Sequence, residues 1–203
     1  MTTVPVHRRI VPAVALALAL VVTACNSSGA GQGGAAPSGC PTSQPAPLPA
    51  GETRTVTLAT GKGQIVIKVQ SDLSPIAVGN FVALASCGFY DGTVFHRVVP
   101  GFVIQGGART SAPPYKLQDE PVTATYHRAT VAMAKTGAPN SATSQFFIVL
   151  DDGGAASLPQ TGTYQIMGEV TSGMDTVDAI AGAADKELPT NPVIIDTATV
   201  TNP

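Results

Sequence analysis

The chain has 203 residues, of which 44% are hydrophobic and only 12% charged, with a formal net charge of −2. This length suits one domain with an appended segment, and the apolar content is high enough to build a core, which excludes wholesale disorder. Eleven Lys and Arg against thirteen Asp and Glu, without a basic cluster, exclude the electrostatic footprint of a nucleic-acid-binding protein.

The N-terminus reads as an export signal rather than as part of a fold. His7, Arg8 and Arg9 precede an apolar run over 10–22 that only Pro12 interrupts. The run is shorter than the ~20 residues of a membrane-spanning helix but suits the apolar core of a signal peptide. It ends in Val22-Thr23-Ala24-Cys25, which resembles the lipobox of bacterial lipoproteins. The resemblance implies removal of residues 1–24, diacylglycerol on the Cys25 sulfur, and a lipid-anchored location on the extracytoplasmic face of the cell membrane. An ordinary signal peptide that happens to contain a cysteine is the alternative.

Residues 25–52 are expected to form a disordered tether. The stretch 26–51 carries no charge and is dominated by Gly, Ala, Ser, Pro and Gln, so it has little apolar surface to offset its ordering entropy. With Cys25 acylated, Cys40 and Cys87 are left over. Outside the cytoplasm they are a candidate disulfide pair. Alternatively, Cys87 is a small buried hydrophobe and Cys40 is free.

The folded domain is expected over 53–203. Alternation over 54–60 and 64–69 around Gly61-Lys62-Gly63 predicts a β-hairpin. Further strands are expected over 93–99, 102–105, 129–134, 145–150, 164–170 and 193–200. Ser74 as N-cap followed by Pro75 opens a helix that Gly88 closes, with Ile76, Val78, Phe81, Val82, Leu84 and Ala85 at helical spacing. A second helix is expected over 174–181, with Met174, Val177, Ile180 and Ala181 on one face. Short strands with two separated helices suggest an antiparallel barrel with helical plugs, since closure removes exposed sheet edges. Asp151-Asp152 reads as a solvated loop, because no further metal ligands cluster nearby.

Three blocks carry the function: FHRVVPGFVIQGG over 95–107, PNSATSQFFI over 139–148 and YQIMGEV over 164–170. In this order, and with Asn80-Phe81 in the first helix, they resemble the cyclophilins over the whole folded part. The resemblance implies a mainly β fold, a closed eight-stranded antiparallel barrel capped by two α-helices. It also implies peptidyl-prolyl cis–trans isomerase activity, assisting the folding of exported proteins, at a groove on the outer barrel wall. By position, Arg97 and Gln105 fall on catalytic positions of the family, Gln105 also helping to hold Arg97. Phe102, Val103, Ala134, Gln145, Phe147, Leu158 and Tyr164 fall on substrate-binding positions. Alternation along the strands sends Phe95 and Phe146 into the core instead. His96 is read as structural.

The chemistry needs no cofactor or metal. Proline-containing polypeptides are the expected partners, with the lipid bilayer held through Cys25, no nucleic acid, and a monomeric enzyme. Several positions depart from the family pattern: Val103 for Met, Ala108 for Asp, Lys135 for Asn, Ser157 in place of a Trp and Tyr164 for His. The shortened loop over 108–114 and Ala108 leave open a non-catalytic module that binds proline-containing segments.

Overall fold

The computed structural model describes residues 34–158 and 164–202. The signal sequence, Cys25 and the first part of the expected tether lie outside the described residues. Eight strands form one antiparallel sheet in the order β3-β4-β6-β5-β7-β2-β1-β8. They are β1 (Thr53–Thr60), β2 (Gly63–Gln70), β3 (Arg97–Val99), β4 (Val103–Gly106), β5 (Thr130–Met133), β6 (Phe146–Val149), β7 (Ile166–Ser172) and β8 (Ile195–Thr201).

The hairpin β1–β2 turns at Thr60↔Gly63, with Gly63 at φ +132°, a conformation that side-chain-bearing residues rarely adopt. Val56 and Leu58 on β1 and Ile65, Ile67 and Val69 on β2 all point inward, as period-two alternation requires. The sheet curls until its edges approach. The expected strand over 93–99 divides there. Residues before His96 pair with 193–195, through a bridge between Val94 and Ile194 and the N–H groups of Gly92, Phe95 and Ile195. Residues after it form β3 and pair with β4. No ladder joins β3 directly to β8, which refines the expected continuous barrel to a curled sheet of eight antiparallel strands.

Among the described residues three helices accompany the sheet: α1 (Pro75–Ser86), α2 (Asp152–Ala155) and α3 (Met174–Ala183). The apolar spacing along the chain predicts only α1 and α3. The third, α2, arises where Asp151, read as solvated loop, accepts a hydrogen bond from the Gly154 N–H at 2.7 Å and caps a single turn. At α1 the expected cap is replaced. Ser74 makes no side-chain cap bond and its Oγ is buried without a partner. The carboxylate of Glu120 instead accepts from the N–H groups of Ile76 and Ala77 at 2.7 and 2.9 Å. A negative charge on the positive end of the helix dipole is the more favourable cap, and it arrives from 44 positions away.

The interior is solid. Phe146 meets Phe81, Tyr90 and Phe95 edge-on, with ring centroids 5.3, 5.5 and 6.2 Å apart. Leu58, Ile67, Leu84, Ile104 and Met133 fill the rest. Such packing leaves no lumen for a ligand, so a site has to lie on the outside.

The segment from Gly34 to Gly51 is not free chain, a correction to the expected tether. Cys40 and Cys87 form a disulfide across 47 positions. Leu48 is buried, and its N–H donates to the Pro75 carbonyl at 3.0 Å. Gly79 in α1 makes room, since a Cβ there would stand 2.3 Å from the Ala46 carbonyl oxygen. Composition alone argued for disorder, but one covalent link and one buried leucine tie the segment to the domain.

Candidate active site

Strand register builds the site. Arg97 on β3 lies opposite Gln105 on β4, Gln105 opposite Phe147 on β6, and Phe147 opposite Ala132 on β5. Directly paired residues share a sheet face, so one row of side chains crosses four strands on the outer wall. Outward-facing apolar residues form a second cluster distinct from the interior one: Val103, Ala132, Phe147, Val149, Ala155, Leu158 and Ile166, with Phe102, Ala134 and Tyr164 against it. β5 and β6 are therefore buried on both faces.

A groove of about 90 Å³ opens in this wall. The apolar side is Phe102, Val103, Phe147 and Leu158; Arg97, Gln105, Ala134, Lys135 and Tyr164 complete it. Eight of the nine residues assigned to the site from the sequence thus meet around one depression. The ninth, Gln145, stands behind it and accepts a hydrogen bond from Nε2 of Gln105 at 2.9 Å. Gln105 therefore does not hold Arg97, contrary to expectation. Nε of Arg97 donates to Oε1 of Glu187 at 2.7 Å, and the terminal guanidinium nitrogens make no hydrogen bond among the described residues. The Arg97 side chain is 32% exposed, so it stands at the lip and is neither sequestered nor free in bulk water.

Three further residues shape the groove. Tyr126 clamps Tyr164 from behind: its hydroxyl donates to the Tyr164 carbonyl at 2.7 Å and accepts from the Tyr164 N–H at 3.1 Å. That holds the Tyr164 ring edge-on to Phe147, with centroids 5.3 Å apart. Lys135, only 8% exposed, donates to Asp119 at 2.6 Å. Burial pushes the Asp119 carboxyl up, but the Lys135 and Asn140 hydrogen bonds and the lysine charge outweigh it and hold it below the usual carboxylate range. Glu187 lies on the loop after α3. Lys135 was visible in the sequence as a departure from pattern; Tyr126 and Glu187 gave no signal, since no periodicity or motif marks them.

His96 sits beside the site with Nδ1 buried and unpartnered. Burial pulls its pKa below the ordinary 6.5; the Val94 backbone and the Gln145 side chain oppose this in part, and the Arg97 charge adds to it. The folded state thus binds this proton less readily than the unfolded chain. The stabilisation is complete above the unfolded value and is lost as the pH falls below about 6.5. In urea unfolding, the fall in stability from pH 7.5 to pH 5 should be shallower in His96→Gln than in the wild type. An unchanged slope would show that His96 does not titrate on unfolding.

The family model described as cyclophilin type peptidyl-prolyl cis-trans isomerase/CLD matches residues 55–200. The chain belongs to the cyclophilins. It is 41% identical over 162 residues to peptidyl-prolyl cis-trans isomerase B of Escherichia coli, covering 71% of this chain and 98% of that one. To a peptidyl-prolyl cis-trans isomerase of Streptomyces antibioticus it is 38% identical over 162 residues, covering 72% and 98%. Among solved structures, a cyclophilin-type isomerase of Cryptosporidium parvum superposes with a TM-score of 0.64 at 30% identity, covering 74% of this chain and 99% of that one. That protein has also been solved in the presence of the dipeptide Ala-Pro.

Proposed function

We propose that this cyclophilin catalyses rotation about X–Pro bonds with Arg97 as the group that favours the twisted amide, and that it serves exported proteins while anchored to the membrane through Cys25. The barrier to rotation, about 18–20 kcal/mol, comes from delocalisation of the nitrogen lone pair into the carbonyl. At X–Pro the two planar isomers are close in energy, yet interconversion takes tens of seconds or longer. No bond has to break. The enzyme must bind the rotated amide better than either planar form, and each ~1.4 kcal/mol of that preference is worth tenfold in rate.

In the rotated state the prolyl nitrogen becomes pyramidal and its lone pair can accept a hydrogen bond. The guanidinium of Arg97 is permanently charged and offers a rigid fork of donors. Phe102, Val103, Phe147 and Leu158 supply an apolar slot for the pyrrolidine ring. Gln105 keeps its carbonyl oxygen toward the substrate backbone while its amide is spent on Gln145. Ala134 and Tyr164 complete the binding wall. The observation that carries the reading is the placement at the lip of this apolar slot of a cation whose terminal nitrogens make no hydrogen bond among the described residues. The test is the isomerisation rate of a short X–Pro peptide with wild type and Arg97→Ala.

The groove is complete within one chain, which supports a monomeric enzyme. The exchange of hydrogen bonds between 92–95 and 193–195 supports reading the curled sheet as a barrel closed at that seam. The Cys40–Cys87 disulfide supports an oxidising, extracytoplasmic location. Residues 1–24 would then be removed on export, leaving Cys25 to carry the lipid. Two acyl chains hold a protein on a bilayer where one is marginal. Cys25→Ser should therefore shift the processed protein from the membrane fraction to the soluble fraction; a processed variant that stays on the membrane would rule out the anchor.

A further inference from the structure

β3 is a three-residue edge strand, and its cross-strand neighbour Gln105 is committed to Gln145. Among the described residues, no side chain of the sheet therefore hydrogen-bonds the Arg97 guanidinium, whose long stem loses rotamer entropy when it is ordered. The loop between α3 and β8 does so instead. Its carbonyl at Glu187 accepts from the Val98 N–H at 2.8 Å, which pins the loop to β3 one residue from Arg97. The same loop is closed by Asp185, whose carboxylate accepts from both the N–H and the hydroxyl of Thr190, at 2.9 and 2.7 Å. Pro189 stiffens the span between them. On this braced loop the Glu187 carboxylate accepts a hydrogen bond from the Nε–H of Arg97 at 2.7 Å. Engaging Nε fixes the plane of the guanidinium and leaves its terminal nitrogens for the groove.

We infer that Glu187 is a positioning residue for the isomerase reaction: it holds the Arg97 guanidinium in the plane that meets the rotated amide. This rests on the reading of Arg97 given above. The two side chains are 32% and 58% exposed, so as a surface ion pair they add little to stability. A purely structural role would therefore leave almost no trace, whereas a positioning role shows in kcat.

The experiment combines kinetics on an X–Pro peptide with the Arg97 Nε–H resonance. In Glu187→Ala, kcat should fall about fivefold, the rate equivalent of the ~1 kcal/mol upper range for an exposed pair. KM should stay within about twofold and the thermal midpoint within about 2 °C, by the same reasoning. The slowly exchanging Nε–H signal should disappear. Glu187→Gln, which still offers an acceptor oxygen, should recover most of the rate and the signal. Lys186→Ala, a neighbouring exposed charge, should change neither. The inference is overturned if Glu187→Ala keeps both the signal and kcat, if the loss appears in KM alone, if Gln is no better than Ala, or if Lys186→Ala costs as much. A wild type with the signal intact but no isomerase activity would overturn the reading of Arg97 instead, and with it any catalytic role for Glu187.

Discussion

Arg97→Ala is expected to lower kcat/KM for an X–Pro peptide by about 10²- to 10³-fold, the usual loss on removing one donor aimed at transition-state charge. The planar substrate has no available lone pair on the prolyl nitrogen, so the guanidinium has little to bind until the amide rotates. The loss should therefore fall on kcat more than on KM. Stability should be nearly unchanged, because Arg97 is a partly exposed edge-strand residue whose side chain, among the described residues, is hydrogen-bonded only to Glu187 at the surface. Arg97→Lys keeps the charge but not the planar fork, and should recover only a small part of the rate. A protease-coupled or direct isomerisation assay, with circular dichroism to confirm folding, decides the matter. Equal rates for wild type and Arg97→Ala would remove Arg97 from the mechanism and leave a proline-binding barrel.

Breaking the Cys40–Cys87 disulfide should have the largest effect on stability. The bridge closes a loop of 47 positions, for which loop-closure entropy corresponds to about 4 kcal/mol. For a domain of this size that is roughly a 10 °C fall in the thermal midpoint, at 2–4 °C per kcal/mol. Reduction, or Cys40→Ser with Cys87→Ser, should produce it and should also expose the segment before Leu48 to proteolysis. Activity below the new midpoint should survive. The bridge packs against the interior cluster at the end of α1, whereas the groove belongs to the outer one. A midpoint that moves by less than about 2 °C would mean that the denatured chain gains little freedom when the bridge is cut.

Much of this molecule could be read without coordinates because its signals are local. Alternation marks the hairpin over 54–60 and 64–69, whose Val56, Leu58, Ile65 and Ile67 the fold buries, and the same rule separates Phe146 in the core from Phe147 in the groove wall. Every strand was found within a few residues. The largest discrepancy was the run over 93–99, where the chain changes partners at His96. The errors share a cause. Ser74 has the right chemistry to cap α1, yet Glu120 does so; Gln105 lies beside Arg97, yet Glu187 holds it. A polar side chain takes the best partner within reach, and reach is set by how distant segments cross. Asp151 failed differently: its cap is local, but a single helical turn is too short to show a period.

By itself, then, the order of residues determined the eight strands and the two long helices, because backbone periodicity acts over a few positions, while the apolar slot and the arginine beside it were legible through the resemblance of three short blocks to the cyclophilins. The tertiary structure alone decided that the segment from Gly34 to Gly51 is tied to α1, that Val94 bridges to Ile194, and that the Arg97 guanidinium donates a hydrogen bond to a carboxylate 90 positions away. Those pairings depend on where the chain returns in space, and short-range patterns hold no record of that return.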